Sequence, residues 1–267
     1  MRAAVLGRPV SHSLSPLLHR AAYAALGLTD WTYDALDLGP EDLAELLAGL
    51  GPEWRGFSVT MPNKQMAVEV ADRVEPLPAL LGAANTLVRT DAGWRAHNTD
   101  VAGIGMALQL AGVESAPRAV ILGAGGTATA AAVALASLGA REVDVVVRDP
   151  RRAGDVVRVL ETLGVAATVR SLDGARVAAP VVISTVPVDG QPAVAALDWQ
   201  AGQTVLDVLY APWPTPLAER VSAAGGTVIG GLEVLFWQAT EQVELMTGMQ
   251  APIAAMRAAL DAALPGR

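Results

Sequence analysis

The sequence predicts an α/β protein built as two lobes, and three observations carry that expectation. Strand and helix signals alternate along the first third of the chain. From residue 118 the alternation restarts with a strand, a glycine turn and a helix. Finally, 52% of the 267 residues are hydrophobic and 17% are charged, enough apolar side chain for a sizeable core.

The elements follow in order. "AAVLG" (3–7) reads as a strand. "SPLLHRAAYAALG" (15–27) reads as a helix with Ser15 as N-cap, Pro16 at its first turn and Gly27 as stop. "WTYDALDL" (31–38) alternates like a strand, and "PEDLAELLAGL" (40–50) starts with Pro and two acids as helices do. "RGFSVT" (55–60) is a strand, after which Pro62 is expected to open a helix running to about Val74. Residues 84–99 read as a hairpin turning at Asp91-Ala92-Gly93. A helix over 100–112, started by Asp100 and stopped by Gly112, joins the lobes, and "VESAP" (113–117) looks like a boundary. Further strands are expected at 143–148, 166–170, 180–185, 204–208 and 227–230. Residues 231–263 read as helical, with a break near 248–252. The simplest arrangement is two α/β lobes, with a mainly parallel sheet in the first, joined by the 100–112 helix.

Composition excludes several functions. A net charge of −8 argues against nucleic-acid and anionic-membrane surfaces. The chain has no Cys, which removes disulfides and thiolate chemistry. Its three His (His12, His19, His97) lack metal-ligand spacing, so no metal is expected. The uncharged stretch from Ala119 to Ala140 contains "GAGG", so it reads as strand, turn and helix rather than a membrane span. The N-terminus lacks the longer apolar run of a signal peptide, and the expectation is a soluble cytoplasmic protein.

"AVILGAGGTATAAAVALASLG" (119–139) carries Gly123-x-Gly125-x-x-Ala128 between a strand and a helix. Each small residue has a task. Gly123 permits the tight turn, Gly125 lets backbone approach a pyrophosphate, and Ala128 lets helix and strand sit close. The helix N-terminus supplies N–H groups to the phosphates. At the end of the second strand, "VVVRDPRRAG" (145–154) places Arg148, Arg151 and Arg152, a cationic arc suited to a ribose 2′-phosphate and hence to NADP. Asp149 argues the other way, since an acid there accepts from the 2′-OH of NAD.

The first lobe holds polar residues that a core does not need. Ser13 and Ser15 precede a helix, where hydroxyls and N–H groups can hold a carboxylate. Thr60 ends a strand at the edge where open α/β sheets bind ligands. Lys64 is the only lysine beside eighteen arginines, and the chain has three asparagines: Asn63, Asn85 and Asn98. Compositional bias explains why Lys and Asn are rare, but not why the survivors cluster. Asp100 closes "HNTD".

The motifs "SHSLSP", "SVTMPNK", "GAANTL", "HNTD", "GAGGT" and "GGLEVLFWQA" stand in the order seen in the shikimate dehydrogenase family, which the chain resembles over nearly its whole length. The resemblance implies an N-terminal α/β substrate-binding domain with a mainly parallel sheet, spanning 1–101 with C-terminal helices at about 237–267, plus a Rossmann-type dinucleotide-binding domain at 102–236. It implies reduction of 3-dehydroshikimate to shikimate with NADPH, in aromatic amino-acid biosynthesis. It implies Lys64 and Asp100 as the catalytic pair, Ser13 and Ser15 at the substrate carboxylate with Tyr210 nearby, and Thr60, Asn85 and Gln238 at hydroxyls. It also implies Gly123, Ala124, Gly125, Gly126 and Thr127 as the phosphate turn, Arg148 and Arg152 as the NADP clamp, and Gly231 on the cofactor side. Three positions depart from the family pattern. Its common Asn-Arg-Thr is Val147-Arg148-Asp149 here, its common Met is Val234, and a frequent Ala is Thr127. Implied partners are the small-molecule substrate and the cofactor, for a monomer or homodimer. Two alternatives accompany this expectation: an NAD-linked quinate/shikimate dehydrogenase, and a non-catalytic dinucleotide sensor. The sensor has no use for Lys64, Asp100 and Asn85 together.

Overall fold

The computed structural model describes residues 1–264. The chain forms two compact units. One comprises Met1–Thr99 and the C-terminal segment that begins at Gln238, and the other comprises Asp100–Trp237. Residues 265–267 of the expected C-terminal segment lie outside the described residues.

The first unit is built on a six-stranded sheet. Its elements are β1 (Arg2–Gly7), α1 (Ser15–Ala25), β2 (Thr32–Asp37), α2 (Pro40–Ala48), β3 (Trp54–Val59), α3 (Met66–Glu69), β4 (Arg73–Val74), α4 (Pro76–Leu81), β5 (Thr86–Thr90) and β6 (Gly93–His97). The strand order is β2-β1-β3-β5-β6-β4. β1 runs parallel to β2 and β3, and β4 to β6, while the β5–β6 hairpin is antiparallel to β3 and within itself. β3 is buried along most of its length, and Phe57 is fully buried between Trp54, stacked at 5.0 Å, and Trp94. Removing that ring would cost about 3–5 kcal/mol.

The second unit contains α5 (Asp100–Leu110), β7 (Arg118–Leu122), α6 (Gly126–Ser137), β8 (Glu142–Val147), α7 (Gly154–Thr162), β9 (Ala166–Ser171), β10 (Val181–Ser184), α8 (Gln191–Ala195), β11 (Thr204–Asp207), α9 (Pro216–Ala223) and β12 (Thr227–Gly230). Its sheet order is β12-β11-β10-β7-β8-β9, with every pairing parallel. The order reverses between β7 and β10, so a crevice opens at the C-terminal ends of these strands, the place where such sheets bind ligands. Helix α10 (Gly231–Thr247) and helix α11 (Ile253–Ala263) follow, and α11 packs on α1.

Local details differ from the sequence expectation at two motifs. Pro62 does not open a helix: the Met61–Pro62 peptide is cis, the chain turns through residues 61–65, and α3 begins only at Met66. Tertiary bonds hold those turns. The buried Asn63 side chain donates to Leu38 O at 2.8 Å, and Ala84 N donates to Lys64 O at 2.8 Å. Lys64 therefore sits in a turn and not within a helix. Ser15 is likewise not the cap of α1. It is the first helical residue, and its N–H donates to the Ser13 hydroxyl at 3.3 Å. The short helix α4 escaped the pattern because "EPLPALLG" spans too few residues to show a period.

Candidate functional site

In the first unit, the expected substrate residues arise from separate stretches of sequence. Thr60 follows β3, and its N–H donates to Leu6 O at 2.8 Å. A Cβ on Gly7 would overlap the Thr60 side chain, so β1 ends in glycine where that threonine needs room. Asn85 immediately precedes β5 and is 2% exposed. Its Oδ1 accepts from Thr99 N at 2.8 Å, and its Nδ2 donates to Thr99 Oγ1 at 2.9 Å and to Gln238 Oε1 at 3.2 Å. Thr99 Oγ1 also donates to Gln238 Oε1 at 3.3 Å. The two ends of the β5–β6 hairpin, "GAANT" and "HNTD", and the distant "GLEVLFWQ" thus meet at one buried amide. Asn98 tethers this region, donating to Ala83 O at 2.9 Å. So Asn63 and Asn98, the asparagines without an expected role, hold the loops on either side of Lys64 and Asn85.

Several buried polar residues here were not expected. Thr99 is fully buried in the cluster, as are His19, Thr86 and Gln242 at 0–1% exposure. Tyr33 donates to Ser58 Oγ, and Ser58 Oγ donates to Gln242 Oε1 at 2.6 Å. Burial pushes the Tyr33 and Tyr23 phenols up and the His19 imidazole down to about 3. All three are therefore neutral near pH 7. Thr99 could have been noticed in "HNTD"; a buried Gln on a helix leaves no sequence signal.

In the second unit, Asp100 opens α5 and is 6% exposed. The glycine turn has the geometry its spacing implies. Gly123 has φ +107°, and a Cβ there would overlap the Thr185 hydroxyl. Gly125 caps α6 in an extended conformation, and a Cβ there would meet nothing within 4 Å. That open space above a helix N-terminus fits a pyrophosphate. The first internal bond of α6 is Ala128 N to Gly125 O at 2.8 Å, so the amides of Gly126 and Thr127 precede it. Ala128 is fully buried. Gly231 opens α10 where a Cβ would overlap Val208 O. Ala124 lies within the turn.

Past β8, Arg148 is exposed, with its Nη2 3.8 Å from Asp189 Oδ2. Residues Pro150–Ala153 form a single 3-10 turn before α7 and carry Arg151 and Arg152. Arg151 engages Asp149 at three points. The carboxylate accepts from Arg151 N at 3.1 Å, Nε at 2.9 Å and Nη2 at 2.8 Å. That fork holds the Asp149 carboxyl below its ordinary range. Tyr210 lies in the segment between β11 and α9, and burial raises its phenol. Asp207 fixes both ends of this segment, accepting from Thr215 Oγ1 at 2.7 Å and from Leu209 N at 3.3 Å.

Fold and turn define the class: an α/β protein with a Rossmann-type dinucleotide-binding unit and a second α/β unit with a buried polar centre. Comparison with known proteins narrows this. The family model of the shikimate dehydrogenase substrate binding domain matches residues 5–87, and that of the shikimate 5'-dehydrogenase C-terminal domain matches residues 231–260. A shikimate dehydrogenase (NADP(+)) of Moorella thermoacetica is 40% identical over 266 residues, covering 95% of this chain and 90% of that protein. The crystal structure of Mycobacterium tuberculosis shikimate dehydrogenase superposes with a TM-score of 0.88 at 46% identity, covering 98% of this chain and 99% of the other. That of Thermus thermophilus shikimate 5-dehydrogenase, in complex with NADP(H) and shikimate, gives a TM-score of 0.86 at 33% identity, covering 99% and 100%. The chain belongs to the shikimate dehydrogenase family. No helix among the described residues is long and apolar enough to cross a membrane, and no cluster of three metal-ligating side chains occurs among them.

Proposed function

We propose that the chain is an NADP-dependent shikimate dehydrogenase, reducing 3-dehydroshikimate to shikimate in the shikimate pathway. The observation that carries this reading is the convergence of Asn85, Thr99 and Gln238 on one buried hydrogen-bonded centre. A polyhydroxylated ring needs fixed donors and acceptors of this kind, and a dinucleotide sensor does not.

In the proposed mechanism NADPH, when bound, supplies a hydride to C3. Lys64 supplies the proton to the C3 oxygen, its ammonium stabilising the developing alkoxide, so the carbonyl becomes a secondary alcohol. Asp100 orients the ammonium and balances its charge. Arg is a poor substitute for Lys64 because it holds its proton too firmly and its planar fork does not suit a single oxygen. Ser13 and Ser15 take the substrate carboxylate, supported by Tyr210, and Thr60, Asn85 and Gln238 take hydroxyls. On the cofactor side, Gly123, Ala124, Gly125, Gly126 and Thr127 would cradle the pyrophosphate, Gly231 would admit the nicotinamide end, and Arg148 and Arg152 would grip the 2′-phosphate.

Asp149 is the observation that favours NAD, and hence the quinate-type alternative. Its engagement by Arg151 supports NADP instead, because that arginine occupies the carboxylate oxygens a ribose 2′-OH would need. The test is a four-way initial-rate assay of NADP or NAD against shikimate or quinate. NADP with shikimate should dominate, and a larger rate with NAD and quinate would overturn the reading. The same reading carries a cytoplasmic enzyme acting as monomer or homodimer, with the domains divided near residues 101 and 237.

A further inference from the structure

Gln242 is four residues beyond Gln238, on the same face of α10, and both fall within the first unit. The hydrogen bonds around it have only one consistent direction. Asn85 C=O can only accept, so the Gln242 atom facing it at 3.1 Å is the amide nitrogen. Gln242 Oε1 then faces Ser58 and His19. Ser58 must donate to it, and therefore accepts from Tyr33. His19 likewise carries its proton on Nε2, 3.4 Å from Gln242 Oε1, which leaves Nδ1 as the acceptor for Tyr23 OH. Going forward, Gln242 Nε2 also donates to Thr86 Oγ1 at 2.9 Å, so the Thr86 proton goes to Asn85 Oδ1 at 2.9 Å. Thr99 N–H, which can only donate, approaches the same Oδ1 at 2.8 Å.

Asn85 Nδ2 is thereby turned toward Thr99 Oγ1 and Gln238 Oε1. Gln238 Oε1 accepts from both Asn85 Nδ2 and Thr99 Oγ1, which fixes the sense of its amide. We propose that Gln242 is a positioning residue for substrate recognition. It receives two converging donor chains from Tyr33–Ser58 and Tyr23–His19, and passes one sense of hydrogen bonding through Thr86 and Asn85, so that Gln238 meets the substrate as a donor. The inference rests on the proposed substrate class.

The test uses purified full-length protein. Thr86→Val deletes one hydroxyl at nearly constant volume, and Gln242→Leu deletes the whole junction. Each should raise shikimate KM about tenfold, the size of one lost directional hydrogen bond, with kcat and the NADP+ Kd within about threefold of wild type. Thr86→Ser should restore KM. In an Asn85→Ala background, Gln242→Leu should add less than about twofold, because it acts through Asn85. A Thr86→Val enzyme with wild-type shikimate KM, or fully additive losses in the Asn85→Ala background, would overturn the proposal. If Gln242→Leu does not fold, Thr86→Val alone decides. A wild-type chain that neither binds nor turns over shikimate sinks the functional reading itself; a working wild type matched by Thr86→Val sinks only this inference.

Discussion

The two units hold their polar residues in opposite ways. Beneath Asn85 lie buried neutral groups: hydroxyls, amides and an uncharged imidazole linked at 2.5–3.5 Å. Past β8 stand charges near the surface: Arg148 and Asp149, then Arg151 and Arg152 on one short 3-10 turn. Neutral buried bonds fix geometry and ignore ionic strength. Exposed charges attract a phosphate cheaply but are screened by salt. A sugar-like ring demands the first strategy, because its hydroxyls differ only in position. A 2′-phosphate permits the second, because charge alone distinguishes it from a hydroxyl.

The largest expected effect tests what lies outside this contrast. Lys64→Ala and Lys64→Arg should each lower kcat by about 10²-fold or more, the size of a lost general acid, with shikimate binding affected far less. Near-wild-type turnover of Lys64→Arg in a stopped-flow assay would remove Lys64 from the chemistry. Arg148→Ala should come next, raising the NADP+ KM about tenfold, as expected for a lost charge-assisted bond, while leaving that for NAD+ nearly unchanged. Equal losses for both cofactors would mean that Arg148 does not read the 2′-phosphate.

His19 sharpens the buried side of the comparison. Its folded pKa, about 3, lies below the unfolded value of about 6.5, so the unfolded chain binds more protons between those two values. Its contribution is fully present above pH 6.5 and is lost as pH falls toward 3, with a slope of up to ~1.4 kcal/mol per pH unit. The stability gap between wild type and His19→Leu, measured by urea unfolding, should therefore narrow from pH 7 to pH 4. A constant gap would mean that His19 is not held neutral. The smallest effect is expected at the exposed side. Arg151→Ala should release Asp149 and lower the NADP+/NAD+ preference by about two- to threefold, the scale of a surface ion pair, and 0.5 M salt should erase about as much of the wild-type preference.

How much was legible in the sequence follows the same division. The glycine turn, the arginines after β8 and the positions of the second unit's strands were all legible, because each rests on local spacing and backbone need. Asn85 stood out by residue type, and it lies in the buried polar centre. What escaped was whatever tertiary contact decides. The Pro62 segment has a helix-like start, but the bonds from Asn63 to Leu38 and from Ala84 to Lys64 hold it as turns. Asp149 looked like an opponent of phosphate until its partner Arg151 was seen. Gln242, Ser58 and Tyr33 lie far apart in the chain, and nothing along it announces that they touch.

The one-way chain through Gln242 also bears on inheritance. A lone substitution that reverses donor and acceptor at any link leaves a mismatched pair at the next, so neutral drift through Tyr33, Ser58, Thr86 or Gln242 needs compensating partners. Thr60 belongs to no link of that chain. With Thr60 at a ring hydroxyl as proposed, a lineage adapting this scaffold to a differently decorated ring would find its open mutational path there, while the amides beneath keep their ancestral orientation.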